Sequence, residues 1–211
     1  MDSHPRPLTA SERRLLRTKT ASLRATQRRA SRAYPIISGW IFGLLWLATM
    51  LASDAPWQVI TGFWIVVWIG ITVWIQRDAR KSGISAILPG LESALRRNEA
   101  DVVDIRATSY VELEEVEDEG ACYAFQLDEE RVVFISGQEF YPEAKFPSLD
   151  FSLVYVLDEA GRTVDMVIEK RGPKAAPAYV IPAATKERLE IPQHLEVRSM
   201  DITRLEQQLR A

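Results

Sequence analysis

Cys122 is the only thiol in the chain, and His194 the only imidazole in residues 100–211. A thiol nucleophile needs an imidazole within hydrogen-bond reach and a third group to orient it. Cys122 instead sits beside Tyr123 and Phe125 in an expected strand, the usual place of a small buried apolar residue. Six acids crowd the eight positions of the run Glu112, Glu114, Glu115, Glu117, Asp118 and Glu119. Carboxylate oxygens suit hard cations, but the run lacks the spaced Asp/Asn and fixed glycine of a calcium loop. It reads as a solvated face or as a docking surface for the arginine arm of this or another chain. Between two strands, Ser136 to Pro147 mixes aromatics with proline. Gln138, Phe140, Tyr141 and Phe146 are the candidate contact residues of this loop, whose competing role is to plug the end of a barrel. No P-loop, dinucleotide fingerprint, HExxH, GxSxG or kinase signature is present. No catalytic residue, metal ligand or cofactor is therefore assigned, and a single cysteine excludes an internal disulfide framework.

The charges that surround these residues are segregated. Residues 1–34 hold nine basic and two acidic side chains, a balance of +7. Residues 35–76 hold Asp54 alone, residues 77–99 balance to +2, and residues 100–211 to −11, for a net charge of −3. All six tryptophans fall between Trp40 and Trp74.

Two uncharged runs, 35–52 and 57–76, flank Asp54. About 20 apolar residues span a bilayer core as a helix, so the pair reads as a transmembrane hairpin joined by Ser53, Asp54, Ala55 and Pro56. A buried hairpin of a soluble protein or a cleaved signal peptide fits the length and the tryptophans worse. Basic residues flank the two outer ends, and Arg77, Arg80 and Lys81 follow the second run. The positive-inside bias then places both termini in the cytoplasm and Asp54 outside. This layout resembles that of small bacterial inner-membrane proteins.

Gly39 and Gly43 form a small-xxx-small pair for close helix packing, against the second span or a second copy. Trp57, Trp64 and Trp68 share one helical face, which suits an interface or helix packing better than ligand recognition. Neither span carries the ionisable groups of a transport pathway. Thr9-Ala10-Ser11-Glu12 is a capping box, and a helix from about Ala10 to Ala33 should follow. Its cations Arg13, Arg14, Arg17, Arg24, Arg28, Arg29 and Arg32 are expected to face anionic lipid. Protein contact is the next reading and nucleic acid the weakest. Ile84, Ile87, Leu88, Leu91 and Leu95 recur at helical spacing around Pro89-Gly90, an interfacial collar over 77–99.

From Asp101 the period changes to two. Six or seven short strands, with hairpin turns at Asp128-Glu129-Glu130 and Asp158-Glu159-Ala160-Gly161, then fill 100–211. The expected fold is α+β: a two-helix transmembrane hairpin, then a small antiparallel β barrel or sandwich with a terminal helix over Ile202–Leu209. Four parts follow: a basic arm (1–34), the hairpin (35–76), the collar (77–99) and an acidic cytoplasmic domain (100–211). The expected role is a non-enzymatic interaction or scaffold module meeting lipid and a protein partner or a second copy. An oligomeric two-span effector or pore gated by the β domain is the alternative, and an enzyme at the membrane surface the third.

Overall fold

The computed structural model describes residues 3–52, 56–81 and 83–210. Ser53, Asp54 and Ala55, the expected turn between the apolar runs, lie outside the described residues. The chain forms two compact units. One comprises Pro7–Glu99 with Leu157–Asp165; the other comprises Met1–Arg6, Ala100–Val156 and Met166–Ala211.

The first unit is built on three helices: α1 (Ala10–Ala52), α2 (Trp57–Lys81) and α3 (Ile84–Arg97). The capping box forms as its residue types require. The Thr9 amide donates to Glu12 Oε2 at 2.7 Å and the Glu12 amide to Thr9 Oγ1 at 3.3 Å. The arm and the first apolar run are one 43-residue helix, with no break at Pro35. Proline removes a single intrahelical bond. Here it stands where the basic sequence gives way to the apolar one. At 1.5 Å per residue α1 is about 65 Å long, of which 35–52 makes up about 27 Å.

The chain returns along α1 through α2 and then α3, and the Leu8 amide donates to the Asn98 carbonyl (3.3 Å) where α1 begins and α3 ends. The arm and the collar thus form a two-helix stalk continuous with the apolar hairpin. Leu16 and Thr20 of α1 and Leu88, Leu91 and Ala94 of α3 are buried. Pro89-Gly90 does not interrupt α3. A Cβ at Gly90 would stand 3.0 Å from Val164 Cγ1, so the glycine serves a close approach rather than a helix end.

The second unit holds two sheets. One has the order β1-β2-β6-β7, with β1 Ser3–Pro7, β2 Glu99–Arg106, β6 Asp150–Leu157 and β7 Thr163–Lys170. The other has the order β8-β3-β4-β5-β9, with β3 Ser109–Leu113, β4 Ala121–Gln126, β5 Arg131–Gly137, β8 Val180–Ile181 and β9 Val197–Ser199. The sheets are open, so the expected barrel is corrected: two separate sheets share a core, and the sandwich alternative is the closer description. β1 was not foreseen; Pro5 and Pro7 restrict it to an edge, where missing amides cost least.

The alternation is strict. Tyr110, Tyr123, Phe125, Val133 and Ile135 point into one cluster with Val103, Ile105, Phe151 and Leu153 of the other sheet. Val111, Leu113, Cys122, Ala124, Val132 and Phe134 point the opposite way, under Ile181, Leu189, Met200, Ile202, Leu205 and Leu209. The five-stranded sheet is therefore covered on both faces, and all six residues of β4 are buried. After a single helical turn, α4 (Ala183–Lys186), the chain ends in a 3₁₀ turn, Ile202–Arg204, that leads into α5 (Leu205–Leu209).

Candidate functional site

Three indole N–H groups bind the apolar helices together. Trp46 donates to Thr61 Oγ1 (3.0 Å), Trp64 to Thr49 Oγ1 (3.2 Å) and Trp68 to Ser38 Oγ (3.2 Å). Trp64 and Trp68 therefore pack toward α1, whereas Trp57 is exposed. An indole carries one donor that is costly to leave unmet in an apolar setting, and the hydroxyls of Ser and Thr supply cheap acceptors there. Gly39 and Gly43 line a crevice with Trp46, Trp64 and Trp68 but serve no close helix approach, since a Cβ built on either meets nothing within 4 Å. They line an apolar groove with Pro35, Ile36, Trp40 and Leu44.

The stalk is charged. Arg24 on α1 donates to Glu92 on α3, and Lys19 Nζ reaches Asp165 at 2.7 Å. Of the other arm cations, Arg13, Arg14, Arg17, Arg28 and Arg29 are exposed. Nothing is described for the Arg32 side chain. The β6–β7 turn is fixed against α3. Ser93 Oγ accepts the Glu159 amide (2.9 Å) and donates to Glu159 Oε2 (3.1 Å), while Arg96 donates Nε and Nη2 to the two oxygens of that carboxylate. Arg97 Nη1 donates to the Asp158 carbonyl at 2.8 Å.

The Asp158 carboxylate accepts the amides of Arg162 and Ala160 and the Arg162 guanidinium, which hold it below the usual carboxylate range. Beside this turn a cleft of about 700 Å³ is lined by Ile87, Gly90, Ser93, Arg96, Glu159 and Arg162. A second groove of about 410 Å³ lies between α1 and α3, lined by Arg17, Thr20, Ala21, Arg24, Glu92, Leu95 and Arg96. Sequence reasoning missed both. The +7 arm was the only available signal, and it does not say which helix the arm meets.

Cys122 and His194 are not brought together. Cys122 faces the cluster under the C-terminal segment, is 2% exposed, and burial pushes its thiol up to about 11. The His194 ring stacks on Phe140, in the other cluster, at 5.1 Å between centroids. Its Nδ1 accepts the Ser136 amide (3.2 Å), so the neutral ring carries its proton on Nε2 and donates it to Tyr155 Oη (2.9 Å). Burial lowers the His194 pKa, against a smaller opposing pull from Glu139.

The acidic run is hydrogen-bonded within its own unit. Glu114 accepts the Ala183 amide (3.0 Å), and Glu115 accepts the Gly120 amide (2.9 Å) and the Tyr141 hydroxyl (2.6 Å). Lys186, almost wholly buried, pairs with Glu119. Burial opposes the Glu119 charge, but hydrogen bonds from Lys186 and the Val116 amide outweigh it and lower its pKa. No group of three or more His, Cys, Asp or Glu side chains placed to hold a metal occurs among the described residues.

The expected contact loop divides. Phe140 and Phe146 are core residues at 0% and 1% exposure. Gln138, which donates to the Asp118 carbonyl (3.0 Å), and Tyr141 stand beside the acidic run. Comparison with known proteins finds no matching family model, no similar curated protein and no similar solved structure.

Proposed function

We propose that the protein is a membrane-anchored interaction module. Its apolar helices cross a bilayer as a hairpin, and both termini lie on the basic, cytoplasmic side. One observation carries this reading. Two helices are long and apolar enough to span, yet none of the most apolar 18-residue window of α1 is buried, and only 6% of that of α2. Leu51 is 82% exposed, Trp40 72% and Val66 69%. The core hairpin of a soluble protein would bury such side chains, since exposing them to water costs about 1.5–3 kcal/mol each. Lipid removes that cost.

On this reading the continuity of α1 decides which cations meet lipid. Arg28 and Arg29 lie within about 11 Å of Pro35 along the axis, near a Debye length, and serve as headgroup contacts. Arg13, Arg14, Arg17 and Arg24 stand farther out. The β unit offers an anionic face with one exposed aromatic, Tyr141, which suits a basic segment of a protein partner. Full-length protein captured in mild detergent should bring down a partner whose recovery falls on Tyr141→Ala. Unchanged recovery removes this face from the proposal.

A second reading is favoured by the open surface at Gly39 and Gly43. The groove they line beside Trp40 and Trp46 is apolar and open, which makes it available to a second copy. Crosslinking in bilayers should then trap discrete multimers that Gly39→Leu abolishes, and a strict monomer would exclude it.

A further inference from the structure

We propose that the groove between α1 and α3 binds a phosphate-bearing anion presented from the water, held by Arg17, Arg24 and Arg96. Three guanidiniums line this groove and Glu92 is its one carboxylate. Arg17 forms no ion pair among the described residues. Arg24 aims both Nε and Nη2 at a single oxygen, Glu92 Oε1, and keeps Nη1 uncommitted by any described bond. Arg96 spends Nε and Nη2 on Glu159, which lines the neighbouring cleft, and likewise retains Nη1. Counting Glu159 as well as Glu92, the three arginines still carry a positive excess that the unit's own acids do not match.

The groove is also open to exchange. The Arg24 and Arg96 side chains are 55% and 61% exposed, and ion pairs so open to water contribute little to stability. Trading or sharing those carboxylates with a phosphate, which accepts bidentate guanidinium bonds, therefore costs little. A volume of about 410 Å³ exceeds what one inorganic ion fills and falls at the small end of ligand clefts. Ala21 and the part-buried Leu95 add apolar wall for the organic part of such a ligand.

The source of the anion follows from distance. Arg24 and Arg17 lie about 16 and 27 Å from Pro35 along the helix axis. The headgroup layer of one leaflet is only about 5–8 Å deep. A lipid phosphate does not reach the groove, and a soluble one does. This step rests on the membrane reading above; the binding itself does not.

The test is calorimetric titration of inorganic pyrophosphate into the full chain in phosphatidylcholine nanodiscs, at constant ionic strength. Saturable binding is expected, weakened at least tenfold by Arg17→Gln and by Arg96→Gln. Arg13→Gln, exposed on the same arm outside the groove, should leave it unchanged. Absence of saturable binding, or equal weakening by Arg13→Gln, overturns the site. In discs containing phosphatidic acid the pyrophosphate affinity should hold; competition by that lipid overturns the water-side source. A chain that enters no disc sinks the membrane reading alone, and the same titration in detergent then decides the groove.

Discussion

Arg24 donates to Glu92 Oε1 through Nε at 3.1 Å and Nη2 at 2.7 Å, joining the N-terminal basic helix to a helix 68 residues further on. The basic arm is thereby one wall of a stalk rather than a free tail. An exposed pair of this kind contributes at most about 1 kcal/mol. Arg24→Glu should speed amide exchange over residues 12–28 in detergent, and Arg24→Glu with Glu92→Arg should restore protection. Equal exchange in all three proteins would show that the pair does not order the arm.

Gly120 has φ +89°, and a Cβ there would lie 2.4 Å from the Gln138 amide nitrogen and the Gly137 carbonyl carbon. Both are backbone atoms and neither can swing away. Gly120→Ala should therefore destabilise the β unit by more than about 2 kcal/mol, read as a lowered denaturant midpoint. A loss below about 0.5 kcal/mol would mean that the turn relaxes freely.

His194 has its pKa lowered by burial, so the unfolded chain takes up its proton first as pH falls. Its contribution to stability is complete above the unfolded value of about 6.5 and is lost as pH drops through the folded value. Protonated Nδ1 can no longer accept the Ser136 amide. Stability should fall between pH 7.5 and 5.5, and His194→Gln should flatten that slope. A wild-type curve with no slope in this window contradicts the buried neutral ring.

The Cys122 thiol, pushed up to about 11 and sealed under the C-terminal segment, is almost entirely protonated at neutral pH. Maleimide should leave it unmodified in folded protein at pH 7.5 for hours and label it fully in denaturant. Rapid labelling of folded protein would mean that the segment opens.

The two apolar runs were legible because length and lack of charge are local properties of the sequence. So were the capping box, the collar helix Ile84–Arg97 and most strands of the β unit, each marked by its own period. The stalk was not, because Pro35 is equally at home in a helix's first turn and reads there as a beginning. Nor did alternation reveal what covers the second face of β4: Cys122 reads as a small buried residue, but Leu205 and Leu209, which help bury it, lie far along the chain. Phe140 and Phe146 were ambiguous for a related reason: an aromatic in a loop looks the same whether it plugs a core or greets a partner.

The native cysteine being sealed, introduced ones can report sidedness. A membrane-impermeant maleimide applied to intact cells expressing the chain should label Asp54→Cys. It should reach Ser11→Cys and Gln207→Cys, both at exposed positions, only after permeabilisation. Labelling of either terminal position from outside, with Asp54→Cys protected, would contradict an apolar hairpin whose two ends share the cytoplasm.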